Sequence, residues 1–195
     1  MLPVRKVFVA YLRWQSPKTY HDGIVISTWD SKADHPALAS KVLDALELIR
    51  RVDYRRYARL RRDVGRITLD RLQVAGTFVP SAGGVFLDTS HVELAHVAEL
   101  ALTIVHEATH ARIHRAGVKV DARVRSRVEH VCIGAEIDLA AKLGPKYSTL
   151  IDAAVQKRAS ANWSDAERFE RRVRGLREAG LPSWFVRAYV SLFRP

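Results

Sequence analysis

Between Ser90 and Gly117 the chain reads as one helix whose apolar middle runs straight into a polar cluster. Leu100, Ala101, Leu102, Ile104 and Val105 are followed at once by His106-Glu107-Ala108-Thr109-His110. Burying two imidazoles and a carboxylate at the end of such a stretch is costly unless they meet a partner. Ser90 with Glu93 fits a capping box, which starts the helix near His91. Gly117 is a natural left-handed stop, so the helix is expected to end near Ala116. A fold for this chain has to bury that helix and give its polar end something to bind.

His106 and His110 lie four apart, so on a helix their rings project from one face about a turn from each other. That spacing lets two neutral ring nitrogens share one Zn2+. Glu107 points to the side of the pair, where it can take a proton from a metal-activated water without occupying a ligand position. A catalytic zinc wants a third protein ligand and an open fourth position. Glu129, Cys132, Glu136 and His114 are the available donors.

Helix arithmetic separates them. Asp121 is a good N-cap for a second helix ending at Leu143 before Gly144-Pro145, and the short Gly117–Val120 loop makes the two helices an antiparallel hairpin. The His pair sits about eight residues before the turn, and Glu129 about eight residues after Asp121, at the same level. Glu136 lies about 10 Å further along the axis and is read as supporting the site through an Arg or His, or pairing on the surface. Cys132 is read as a small core residue. His114 and His130 are read as exposed or substrate-facing.

The rest of the chain is sparser. Residues 4–12 read as either a strand or a short helix, followed by a loop with Pro17, Gly23 and a brief Ile24-Val25-Ile26 run. Asp34 and Pro36 start a helix that places Leu38, Val42, Leu46, Ile49, Val52 and Tyr57 on one stripe, continues to about Asp63 and stops at Gly65. Ile67–Leu69 and Ala75–Val79 read as strands, Pro80–Gly84 as a turn and Val85–Leu87 as the returning strand. Helices are expected at about Tyr147–Arg158, Ser164–Ala179 and Pro182–Phe193, the last strongly aromatic and docked on the core. The order helix, small sheet, helical remainder makes an α+β fold.

The expected organisation is a single domain over residues 1–195, with a core at 65–143, a leading helix at 34–64 and C-terminal helices at 146–195. One cysteine in 195 residues excludes an internal disulfide. No secretory signal or membrane span is recognisable, so the expected location is the cytoplasm. The formal net charge is +11, with arginine clusters at 50–62 and 168–177. Such helical arginines usually form a solvated face. They leave nucleic acid or an acidic surface as possible partners, though no nucleic-acid-binding motif accompanies them.

His106-Glu107-x-x-His110 followed, after eighteen residues, by Glu129 resembles the gluzincin branch of zinc metallopeptidases. The resemblance covers about residues 65–143. It implies a zinc held by His106, His110 and Glu129, Glu107 as general base, and a peptide or protein substrate paired along an edge strand of a small sheet, Ala75–Val79 or Val85–Leu87. Val128 precedes Glu129, so the family's Asn-Glu pair is absent. Tyr147, His114 and His130 are the candidates for the residue that stabilises the oxyanion. The metzincin pattern is absent, since no glycine stands three residues after His110. The competing reading is a basic, non-enzymatic binding module with a structural or vestigial metal site.

Overall fold

The computed structural model describes residues 14–160 and the isolated positions 173, 174, 177, 183, 187 and 190. Among the described residues the protein is α+β, with a five-stranded mixed sheet and six α-helices. The expectations for residues 4–12, Ser164–Ala179 and Pro182–Phe193 lie outside the described residues.

The sheet begins before the helix expected from Asp34, not after it. The strands β1 (Lys18–His21) and β2 (Ile24–Thr28) are an antiparallel hairpin. Its two-residue turn puts Asp22 at φ 48° and Gly23 at φ 82°, the left-handed pair that matches strand twist. The Ile24-Val25-Ile26 run, read as part of a loop, is thus an interior strand. From β2 the chain crosses through α1 (His35–Val52) and α2 (Tyr54–Asp63) to β3 (Arg66–Asp70), parallel to β2. Next come β4 (Gly76–Val79) and β5 (Gly84–Asp88), with β5 parallel to β3 and β4 antiparallel to β5, at the edge of the sheet among the described residues. The spatial order is β1-β2-β3-β5-β4.

Alternation along the interior strands puts Ile24, Ile26, Ile67, Leu69, Val85 and Leu87 in the core, each with no solvent exposure. Leu38, Val42, Leu46 and Ile49 of α1 join them in one cluster, as do Leu100, Ala101, Ile104 and Val105 of α4 (Val97–Arg115). Each Val, Leu or Ile side chain so buried contributes about 1.5–3 kcal/mol.

Two expected helices are each a pair. The 34–63 helix breaks at Asp53, whose backbone leaves the helical region at φ −145°. Its carboxylate caps α2 by accepting from Arg56 N at 3.0 Å and binds Lys142 Nζ at 2.6 Å. The 91–116 helix is preceded by a separate short one, α3 (Thr89–Leu94). Asp88 at the end of β5, not Ser90, is its cap, accepting from His91 N at 2.7 Å. Ser90 falls inside α3, so the Ser90–Glu93 capping box is absent. The helix start that matters is at His96, whose N–H donates to Glu99 Oε2 at 3.0 Å.

The end of α4 is as expected. Gly117 has φ 80°, and Gly117 N and Val118 N return to His114 O and Ile113 O, the paired bonds of a Schellman motif. Asp121 caps α5 (Ala122–Leu143), and α6 (Ser148–Ser160) packs against it. No described helix is long and apolar enough to cross a membrane.

Candidate metal centre

The hairpin of α4 and α5 brings five polar side chains together: His106, Glu107, His110, Glu129 and Glu136. His106 Nε2 and His110 Nε2 are 3.2 Å apart. Glu129 Oε2 lies 3.3 Å from the first and 3.5 Å from the second. Donors held tetrahedrally at about 2.0–2.1 Å from one zinc stand about 3.3–3.4 Å from each other. The triangle therefore already has the dimensions of a shared donor set.

The second nitrogen of His106 faces the other way. Its Nδ1 meets the Glu136 carboxylate in a short contact, and Lys157 Nζ of α6 donates to the same carboxylate oxygen at 3.1 Å. A proton on Nδ1 donated to Glu136 leaves Nε2 as a lone-pair donor towards Glu129 and His110, the arrangement metal-bound histidines commonly adopt. Glu136 is buried, 7% exposed, so a bare carboxylate there would be costly without these two partners. Of the partners open to Glu136, a histidine is the one it contacts, with Lys157 beside it.

Glu107 is likewise buried and turns towards β4. The Phe78 backbone N–H donates to its carboxylate, and its Oε1 lies 4.0 Å from His106 Nε2. Glycine at 76 permits this approach. A Cβ there would sit 3.1 Å from Glu107 Cγ, Leu87 Cδ2 and Thr103 Cγ2. Thr103 in turn holds His91 Nε2 of α3 at 3.0 Å through its hydroxyl.

Burial and charge pull these groups in opposite directions. Burial works against a charged His106, but Glu129 and Glu136 outweigh it and raise its pKa to about 9. Burial also pushes Glu129 up, and the two imidazoles overcome it, holding the carboxyl well below the usual range. Glu136 is held down the same way by His106 and Lys157, against burial. For Glu107 burial wins and raises its pKa, with His106 and His110 opposing.

Cys132 is fully buried one turn beyond Glu129, and its Sγ lies within 4.8 Å of donor nitrogens of both His106 and His110. It is therefore a core thiol that also borders the triad. Burial, and then the carboxylates of Glu129, Glu107 and Glu136, push its pKa up and keep it a thiol. Glu129 Oε2 stands nearer, at 3.3 and 3.5 Å from the two imidazoles, and they hold its carboxyl low.

The remaining candidates lie elsewhere. His114 is exposed, with its ring 5.6 Å from that of Phe78. His130 turns to α6, its Nε2 3.3 Å from Arg158 O. Tyr147 sits under Lys146, whose ammonium is 4.8 Å from the ring centre. Two contributors escaped the sequence reading: Lys157, from a helix whose register nothing in the motif specifies, and the Phe78 amide, which carries no side-chain signal at all.

Comparison of the chain with protein-family models, curated proteins and solved structures returned no match.

Proposed function

We propose that the protein is a zinc-dependent hydrolase, with peptides or proteins as substrate and His106, His110 and Glu129 as the metal ligands. The observation that carries this reading is the triangle of donor atoms with edges of 3.2, 3.3 and 3.5 Å. Its local charge supports it: Glu107, Glu129 and Glu136 surround the imidazoles, with Lys157 as the one ammonium among the contacts described. A divalent cation would neutralise the surplus.

Zinc in that position would supply a Lewis acid and bring the pKa of water down towards about 7. The chain's own groups do the rest. Glu136, anchored by Lys157, fixes the His106 tautomer. Glu107, aimed by the Phe78 amide and with its pKa raised by burial, takes the proton from the attacking water and passes it to the leaving nitrogen. Among the described residues β4 is the edge strand of the sheet beside it. Ala75 O is used by Asp88 N, so by alternation Gly76 and Phe78 turn their backbone groups away from β5; Glu107 takes the Phe78 N–H, which leaves the Gly76 N–H and C=O and the Phe78 C=O where an extended peptide could pair. The gluzincin-like fold and mechanism are expectations of the same reading.

One observation favours a second reading. If the Cys132 thiolate joined the triad, four protein donors would close the site, and the metal would be structural in a non-enzymatic module. Two variants separate the readings. Glu107→Gln should retain about one zinc per chain and lose hydrolysis of an unstructured protein substrate. His106→Ala with His110→Ala should lose both. Hydrolysis surviving in the glutamine variant would overturn the mechanism. A thiolate-to-metal charge-transfer band in the cobalt-substituted protein would favour the closed site.

A further inference from the structure

On the side of α4 away from the histidines lies a cleft of about 660 Å³, walled by α2, α4, α5 and α6. It shares no lining residue with the triad. Ala108 and Arg112 line it, and helical spacing places them roughly opposite His106 and His110. What distinguishes it is charge. Arg56, Arg59, Arg112, Arg127 and Arg158 all border this one concavity.

Among the described residues most of that charge has no partner. Arg56 is held by Asp53, by Ala135 O at 2.9 Å and by Asp138 at 3.7 Å. Among the described residues no hydrogen bond or ion pair engages the guanidinium groups of the other four. The acidic residues of the lining do little to balance them. Asp63 pairs with Arg62 and Arg115 outside the cleft, and Asp138 is 70% exposed beside Arg56. Arginines spread over a convex surface repel weakly, because water screens them. Gathered around a concavity with Leu60, Val105 and Ala108 in its wall, they focus a positive potential that favours an anion.

Shape and composition narrow the anion. The volume is that of a small-ligand site, too small for a nucleic-acid duplex. Among the described residues no Phe, Tyr or Trp lines it and His130 is its one ring, so it lacks the row of stacking side chains that single-stranded nucleic acid uses. Planar guanidinium forks match phosphate oxygens two at a time. We propose that this cleft binds a compact polyphosphate anion through the side chains of Arg59, Arg112, Arg127 and Arg158. The inference stands independently of the zinc reading.

Gly134 provides a steric handle without altering charge. It lies on α5 in the lining, and a Cβ there meets nothing within 4 Å. The test is calorimetric titration of the full-length chain with inorganic tripolyphosphate at physiological ionic strength, with ATP as a second arm. One tripolyphosphate should bind per chain, and ATP should bind with similar affinity because the base has no partner. Arg112→Ala with Arg127→Ala should weaken binding about 100-fold, at about tenfold per charge-assisted contact. Gly134→Phe should weaken it at least tenfold by filling the cleft. Removing two exposed arginines elsewhere, Arg51→Ala with Arg55→Ala, should change affinity less than threefold. Binding should survive in His106→Ala/His110→Ala, so failure here and failure of the zinc reading are separable. The proposal is overturned by no saturable binding, by equal losses in the two arginine pairs, by indifference to Gly134→Phe, or by tighter, Arg112-dependent binding of a duplex oligonucleotide.

Discussion

Two partly buried networks in this protein handle charge differently. At the junction of α1 and α2, Asp53 meets Arg56 and Lys142, at 3.2 and 2.6 Å, with Asp138 at the rim. Carboxylates and cations there balance. At the α4–α5 hairpin three carboxylates surround two imidazoles, and the ammonium of Lys157 reaches only Glu136. The first network is complete as it stands and joins three helices. The second is complete only when a proton or a metal cation joins it, which is why the geometry reads as a site and not as a brace.

The strongest way to break that contrast is Glu107→Gln. A side chain that only balanced charge could lose its negative charge at little cost to activity. A general base cannot, and kcat/KM should fall by about 10²–10⁴ with zinc content unchanged. Glu136→Gln probes the layer behind the ligands. Zinc affinity, measured by competition with a chelator, should fall about 10- to 100-fold, the usual effect of losing a carboxylate behind a metal-bound histidine.

Asp53→Asn tests the other network. Burial pushes the Asp53 carboxyl up, but Lys142 and Arg56 outweigh it and hold its pKa at about 2. A depressed carboxyl stabilises the fold above its unfolded pKa of about 3.9 and loses that contribution as pH falls through about 2. At pH 7 the variant should lose about 2 kcal/mol in denaturant unfolding, equally with and without zinc. The gap between wild type and variant should narrow as pH falls from about 4 to about 2. The smallest expected effect is that of Gly76→Ala. Its methyl would press on Glu107 Cγ, Leu87 and Thr103 at 3.1 Å, costing on the order of 1 kcal/mol and lowering kcat several-fold while zinc stays bound.

The legibility of the two regions in the sequence differs in the same way. Glu129 could be found by counting, because a tight turn and a fixed rise of about 1.5 Å per residue make a helical hairpin a local ruler. The Gly117 stop and the Asp121 cap were readable for the same reason. The first hairpin was equally readable: Asp22-Gly23 between two short β-favouring runs is a strong turn signal, and taking that stretch as a loop passed it over. The breaks at Asp53 and at Ala95–His96 are harder, since apolar periodicity continues through both. Glu99, three residues after His96, was the clue to the second. The role of Asp53 depends on Lys142, 89 residues away. Lys157, the Phe78 amide and the arginine cleft arise only when distant elements pack, and no local pattern announces them.

The most direct test of the central claim is X-ray absorption at the zinc K edge of the full-length chain loaded with one equivalent of zinc. The account predicts a first shell of nitrogen and oxygen alone at about 2.0–2.1 Å, with the multiple scattering of two imidazoles, and loss of tight zinc binding in Glu129→Ala. A sulfur neighbour at about 2.3 Å, fewer than two imidazoles, or zinc held equally well without Glu129 would contradict it.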